Sequence, residues 1–283
     1  MGKFARTWRL LGASWRLLQQ DKRLLVFPVI SGLALACLVA LFVVPLRAET
    51  AGQLQPGAGL PWSGGMLLGL FVFYFLDSCV VVFFNSALIA CVLRQIDGGE
   101  PSLAYGPGFA WQRLPQIMGW ALLTATVGML LRMLENRVGF VGKLVVGALG
   151  MAWSVTAFMV IPVLVAEGCG PIESYRRSIE LLRRNWGEQI IGNVSFSLVF
   201  GAIVLIPILA LLALSHGVHM GSVPVLAAAV VLVAWILAAV LVQTTLQTIY
   251  QAALYAYAAG GTAPPGFDVQ WLADAFHEKP ARR

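Results

Sequence analysis

At 283 residues, 59% of them hydrophobic and only 11% charged, with a mean hydropathy of +0.82, the chain falls outside the soluble globular range. Apolar stretches of about 20 residues, enough to cross a bilayer as a helix, recur along it, which excludes a signal peptide followed by a soluble domain. The net charge of +6 is spread among segments flanking those stretches, so it is a lipid-facing property and not a nucleic-acid footprint.

The first predicted element is an amphipathic helix over residues 3–20, containing TWRLLGASWRLL. Phe4, Trp8, Leu11, Trp15 and Leu18 share one face, opposed by Arg9, Arg16 and Gln20 with Arg6 close by. The WRLL heptads stop at two, too few for a coiled coil. Trp beside Arg is the composition of an interfacial helix, with indoles at the headgroup level and guanidiniums reaching anionic lipid. The alternative is that the apolar face packs on the protein's own bundle. Ala34-Leu-Ala-Cys37 faintly resembles a lipoprotein cleavage site, but the apolar run continues through Val44, so no cleavage is expected.

Six spans are predicted, over roughly 24–46, 66–93, 114–131, 144–166, 189–215 and 223–242, the last continuing as helix to about 258. Hydrophobicity comes in whole helices rather than at alternate residues, which excludes an outer-membrane barrel. The fold class is therefore all-α: a polytopic membrane helical bundle of about six transmembrane helices plus cytoplasmic amphipathic helices. It forms one domain over 1–258, with a cytoplasmic tail over 259–283. With both termini inside, fifteen Lys and Arg are cytoplasmic, Arg94 and Arg113 among them, against four outside (Arg47, Arg132, Arg137, Lys143), as the positive-inside rule requires.

In the second span Asp77 falls roughly 16 Å deep, near the midplane. An ionised side chain there costs on the order of 3 kcal/mol or more. Ser78 and Asn85 extend a polar line down the same helix. This line reads as a proton- or cation-sensing position or polar constriction, or else as an interhelical hydrogen bond that fixes packing. Gly106-Pro-Gly-Phe-Ala-Trp-Gln-Arg-Leu-Pro115, with Trp111 and Arg113, is a short inner-face segment leading into the third span. At that span's outer end Arg132 and Glu135 are expected to pair. Thr124/Gly128 and Gly150/Ser154 suit close packing of helices in lipid.

Glu167, at the inner end of the fourth span, is expected to pair with a basic residue or cap the next helix. That helix, 171–187, opens at Pro171 and places Tyr175, Ile179, Leu182 and Trp186 opposite Glu173, Arg176, Arg177, Glu180, Arg183 and Arg184. Glu173/Arg177 and Glu180/Arg184 are at favourable spacing. Pro207 should kink the fifth span, and the carbonyl it frees either serves a ligand or simply marks the bend. In the last helix Gln243, Thr244, Gln247, Thr248, Gln251 and Tyr255 form one polar stripe, backed by Leu246, Ile249 and Ala253. It lines an inner vestibule or faces the cytoplasm or the 171–187 helix.

Cys37, Cys79, Cys91 and Cys169 read as small buried hydrophobes, and His216 with His219 as a polar loop tip rather than half a metal site. No nucleophile elbow, HExxH, P-loop or dinucleotide fingerprint occurs, so no catalytic residue, metal or cofactor is expected. Aligning SWRLLQQDKRLLVF with SIELLRRNWGEQII matches Ser14 to Ser178 and Leu17-Leu18 to Leu181-Leu182. A unit of inner amphipathic helix plus transmembrane hairpin, used over 1–96, 97–168 and 169–258, accounts for the match; membrane-edge composition alone is the alternative.

Residues 170–187 resemble a family of bacterial integral membrane proteins catalogued as a domain of unknown function, distantly similar to the membrane domain of glycerophosphodiester phosphodiesterases. Phe83-Phe-Asn-Ser-Ala-Leu88, Leu114-Pro-Gln-Ile-Met-Gly-Trp-Ala121 and Val163-Leu-Val-Ala-Glu-Gly-Cys-Gly-Pro171 carry the same resemblance. It implies a bacterial inner-membrane location and a six-span fold, and no catalytic residues. The functional expectation is a non-enzymatic protein that binds or passes a lipid or small molecule within its bundle. Its alternative is a regulatory component whose headgroup-facing residues, Trp8, Arg9, Trp15, Arg16, Arg176, Arg177, Arg183, Arg184 and Trp186, dock a partner or sense anionic lipid. Membrane lipids are the expected partners, with a further copy or a membrane partner possible and nucleic acid excluded.

Overall fold

The computed structural model describes residues 3–50, 64–100, 102–184, 200–209 and 222–260. The side chains of residues 1–11, Trp8 and Arg9 among them, lie outside the described set, as do Trp186, His216, His219, the Arg184 side chain and the tail. The described chain is all-α: α1 (Lys3–Gln20), α2 (Val26–Thr50), α3 (Gly64–Ile96), α4 (Tyr105–Gln112), α5 (Leu114–Glu135), α6 (Phe140–Ala157), α7 (Val160–Glu167), α8 (Pro171–Arg184), α9 (Phe200–Leu209) and α10 (Ser222–Gly260). Among the described residues, five stretches are long and apolar enough to cross a membrane: Lys22–Phe42, Leu67–Ile96, Leu114–Glu135, Phe140–Glu167 and Val230–Gly260. Of the predicted 189–215 span the described part is α9, a shorter apolar helix.

The chain divides into two compact units, Val26–Leu182 and the pair Met1–Leu25 with Arg183–Arg283. In the first, α3 is the central helix and packs on α2, α4, α5 and α7. Its 33 residues run about 50 Å, longer than a hydrocarbon core of about 30 Å. Its most buried stretch is Ser86–Val92, at 4% exposure or less. α2 starts late relative to the predicted span because Asp21 interrupts the helical run. Its Oδ1 accepts the Arg23 N–H at 2.9 Å and its carbonyl the Leu24 N–H at 3.3 Å, and Lys22–Leu25 form a 3₁₀ turn.

In the second unit α1 packs on α10. The face expected to unite Trp15 with Leu18 is split. Ala13, Ser14, Leu17 and Leu18 are buried, whereas Trp15 is 43% exposed beside exposed Arg16. At about 100° per residue, α1 carries two apolar stripes. The bundle takes the one built of small and aliphatic side chains, which permit close approach, and leaves the indole outside.

Pro207 in α9 brings no N–H to the Ile203 carbonyl four residues earlier. The Trp235 indole of α10 donates to that carbonyl at 3.1 Å. The freed carbonyl is therefore occupied by the protein itself and is not open to a ligand. In a bilayer, where water cannot make up a missing bond, such a carbonyl needs a protein partner.

Candidate functional site

The predicted fourth span is broken. α6 ends at Ala157, Phe158 and Met159 make a turn, and α7 starts at Val160. Pro162 accounts for the position, since it denies the Phe158 carbonyl its ladder donor. α8 meets the break. Ser178 Oγ donates to the Thr156 carbonyl at 2.6 Å, and the Tyr175 hydroxyl lies 2.9 Å from Thr156 Oγ1. Thr156 spends its own proton on the Ala152 carbonyl at 2.8 Å, so Tyr175 is the donor of that pair. Tyr175 also stacks on Trp153 of α6 and Trp120 of α5, with centroids at 5.2 and 6.0 Å. The two indoles stack on each other at 5.6 Å. Each such contact contributes about 0.5–1.5 kcal/mol beyond burial, so three spanning or inner segments are clamped at one point.

Beside the clamp α5 and α6 stand apart. The close packing expected from Thr124/Gly128 and Gly150/Ser154 is not formed. A Cβ built at Gly128 meets nothing within 4 Å, one at Gly150 only Leu131 at 3.8 Å, and both hydroxyls turn back to their own helices. α6 buries none of its side chains. Val127, Leu130 and Leu131 face Leu149, Ala152 and Trp153 across an apolar groove of about 400 Å³, closed at one end by Thr156 and Tyr175. The walls are too bulky for backbone contact, and apolar chains gain no association from water exclusion within lipid, so the small pairs alone do not draw the helices together.

The other end of α7 is fixed by charge. Gly168, with φ of +67°, ends the helix, and the Arg113 guanidinium occupies the space a Cβ there would take, next to the negative end of the helix. Glu167 pairs with Arg177 at 3.4 Å, as one of its two expected roles, and Arg177 also bonds Glu180 at 3.0 Å. The Glu180 hydrogen bond, followed by the charge of Glu167, holds Arg177 above its ordinary pKa. The expected Glu173/Arg177 pair gives way to these two, because Glu180 lies a turn away on the same side and Glu167 approaches from α7.

A family model described as Family of unknown function (DUF6159) matches residues 64–266. The chain belongs to this family. No curated protein and no solved structure matches it. The DUF6159 match runs from α3 through α10 and includes the whole clamp, the groove and the α7 end, while Trp8, Arg9, Trp15 and Arg16 precede it.

Within the DUF6159 region the remaining expected residues are dispersed. Asp77, Ser78 and Asn85 are all half-buried on α3, and among the described residues none makes a side-chain hydrogen bond to Asp77. One turn outward, Tyr74 carries the Arg132 guanidinium over its ring at 5.9 Å, so Arg132 reaches across to α3 and the Arg132–Glu135 pair is not formed. Arg132 and Glu135 are both exposed, where an ion pair contributes little, so a ring across the helix boundary competes for the cation. On α10, Gln243, Thr244, Gln247 and Gln251 are half-buried. Thr248 and Tyr255 are buried, and the Thr244 and Thr248 hydroxyls bond the carbonyls four residues back. Arg176 and Arg183 are exposed on α8. Cys91 is buried, but Cys37 is exposed, contrary to expectation, and none of the four cysteines forms a disulfide among the described residues.

Sequence reasoning missed Thr156, Trp120 and Trp153. The signal available for the break beside Thr156 was Pro162, which removes a ladder donor by the same rule applied at Pro207.

Proposed function

We propose that this protein is a non-enzymatic, multi-pass component of a bacterial inner membrane, with its basic ends in the cytoplasm, that binds a lipid by seating an acyl chain in the α5–α6 groove. The carrying observation is the groove itself: an apolar slot of about 400 Å³ between two spanning helices, ending at an aromatic clamp with a hydroxyl pair. Such volume lies in the range of ligand sites, and its lining suits a hydrocarbon chain whose polar end meets Tyr175 and Thr156. A broken helix beside it is the kind of element that membrane carriers place at their binding sites.

Ala152 lies on the groove wall, so Ala152→Trp fills it. Lipid that stays with the detergent-purified protein, measured by native mass spectrometry, should fall several-fold in this variant. Equal lipid retention at equal folding refutes the reading. A second reading, anionic-lipid sensing by α1, rests on exposed Trp15 beside exposed Arg16. Trp15→Ala with Arg16→Gln should then weaken reconstitution-dependent protection of α1 on phosphatidylglycerol vesicles, and unchanged protection removes it.

A further inference from the structure

The basic end of α3 carries a second pocket, separate from the α5–α6 groove. It has a volume of about 380 Å³ and is lined by Arg94, Asp97, Tyr105 and Phe109 over an apolar floor that includes Leu93 and Val165. Arg94 is the first charged residue of α3 after Asp77. The pocket therefore sits where the apolar helix gives way to polar chain, at the level of lipid headgroups.

Arg94 and Asp97 are three residues apart, and the Asp97 N–H still bonds the Leu93 carbonyl at 3.0 Å, so the helical turn continues and both side chains leave it on one side. They do not pair. The Arg94 guanidinium is instead held over the Tyr105 ring, 4.3 Å from its centroid, which leaves the Asp97 carboxylate without a cation among the described residues. The pocket thus presents a positive and a negative group from one helical turn, with neither satisfied by the other. The second aromatic wall is also taken, since the Arg113 guanidinium lies 5.6 Å from the Phe109 ring centroid.

We propose that this pocket binds a phosphate–ammonium zwitterion, the headgroup of an aminophospholipid. The phosphate meets Arg94, whose planar fork suits phosphate oxygens. The primary ammonium donates to Asp97. A quaternary ammonium fits less well: it has no N–H to give the carboxylate, and both rings that would cage it already hold guanidiniums. A purely anionic headgroup meets Arg94 but is repelled by Asp97.

The test uses the full-length protein in a neutral detergent with dihexanoyl phosphatidylethanolamine, phosphatidylcholine and phosphatidylglycerol as probes, and free phosphoethanolamine as a separate arm. The wild type should bind the ethanolamine lipid at least about fivefold more tightly than the other two. Asp97→Asn should erase that preference while leaving phosphatidylglycerol binding unchanged or tighter, and Arg94→Gln should weaken all phosphate-bearing probes about tenfold. Tight binding of free phosphoethanolamine would identify the source as a soluble molecule, while binding of the lipid alone would identify the membrane. Asp97 lies on a surface turn, so Asp97→Asn decides the matter even if Arg94→Gln fails to fold. An unchanged ethanolamine-to-glycerol ratio in Asp97→Asn, or no discrimination by the wild type, overturns the proposal. Ala152→Trp should leave this binding intact, which separates the fate of this pocket from that of the groove.

Discussion

The Trp235–Ile203 bond gives the sharpest test of how this chain satisfies its backbone in lipid. Trp235→Phe keeps an aromatic ring but removes the one side-chain donor that the described residues place on the Ile203 carbonyl, whose ladder donor is already absent because residue 207 is proline. A typical hydrogen bond contributes about 0.5–1.5 kcal/mol net, whereas an acceptor left without any partner away from water costs about 1–3 kcal/mol. The expected loss is therefore about 2 kcal/mol.

Pro207→Ala changes the reference, because it returns an N–H to the same carbonyl. In that background Trp235→Phe removes a second bond from an acceptor that keeps its first, and the loss should fall to about 1 kcal/mol or less. The coupling between the two substitutions is thus about 1 kcal/mol, and the loss of ring area common to both arms cancels in the cycle. Reversible unfolding in mixed detergent–SDS micelles, read by far-UV circular dichroism, measures all four forms. If the two substitutions add within about 0.3 kcal/mol, the bond does not serve the carbonyl that Pro207 frees, and the account fails.

Two further outcomes follow from local geometry. Gly168→Ala forces a left-handed residue and displaces the Arg113 guanidinium, so it should cost more than Gly98→Ala, which has φ of +81° but open space around a Cβ. We expect about 2 kcal/mol or more against about 1 kcal/mol by thermal melting, and equal losses would show that Arg113 does not hold the α7 end. Asp77→Asn removes no hydrogen bond seen among the described residues, so stability should hold within about 0.5 kcal/mol. A drop above about 1 kcal/mol in the same melt would instead assign Asp77 a packing bond.

What the sequence made legible is what lies in local blocks. Apolar runs near 20 residues long identify α2, α3, α5 and α10, and the spacing of Trp8, Leu11 and Leu18 or of Tyr175, Ile179 and Leu182 identifies α1 and α8. Hydropathy does not count N–H groups, however, so the span holding Pro162 reads as continuous although it breaks at Phe158–Met159. Partners chosen across helices were also hidden. Arg132 was matched to the carboxylate nearest in sequence, yet a ring on α3 takes it. The Ile203 carbonyl was legible as free, but not the indole on α10 that fills it. The groove was read as its opposite, because small-residue spacing marks where helices are able to approach, and the flanking Leu side chains decide whether they do.

The pairing of Ser14 with Ser178 carries the argument one step further. Both serines are 0% exposed, and Leu17, Leu18, Leu181 and Leu182 are each 3% exposed, so the two aligned segments bury the same three positions. Shared membrane-edge composition explains tryptophan and arginine in both, but not a hydroxyl fully buried at the same register. The surroundings then differ. α8 meets a helix broken by Pro162, and Ser178 Oγ takes the Thr156 carbonyl. α1 packs on α10, which is unbroken, and Ser14 Oγ has no partner among the described residues. The same substitution should therefore have opposite signs. Ser178→Ala loses a short bond to a partly buried carbonyl and should cost about 1–2 kcal/mol, while Ser14→Ala removes an unsatisfied hydroxyl and should be neutral or stabilising by up to about 1 kcal/mol. Because both remove one oxygen from a fully buried site, packing losses are alike and the difference isolates the hydrogen bond. Equal destabilisation by the two would mean that both serines are held for packing, and the Ser178–Thr156 bond would then add nothing measurable to stability.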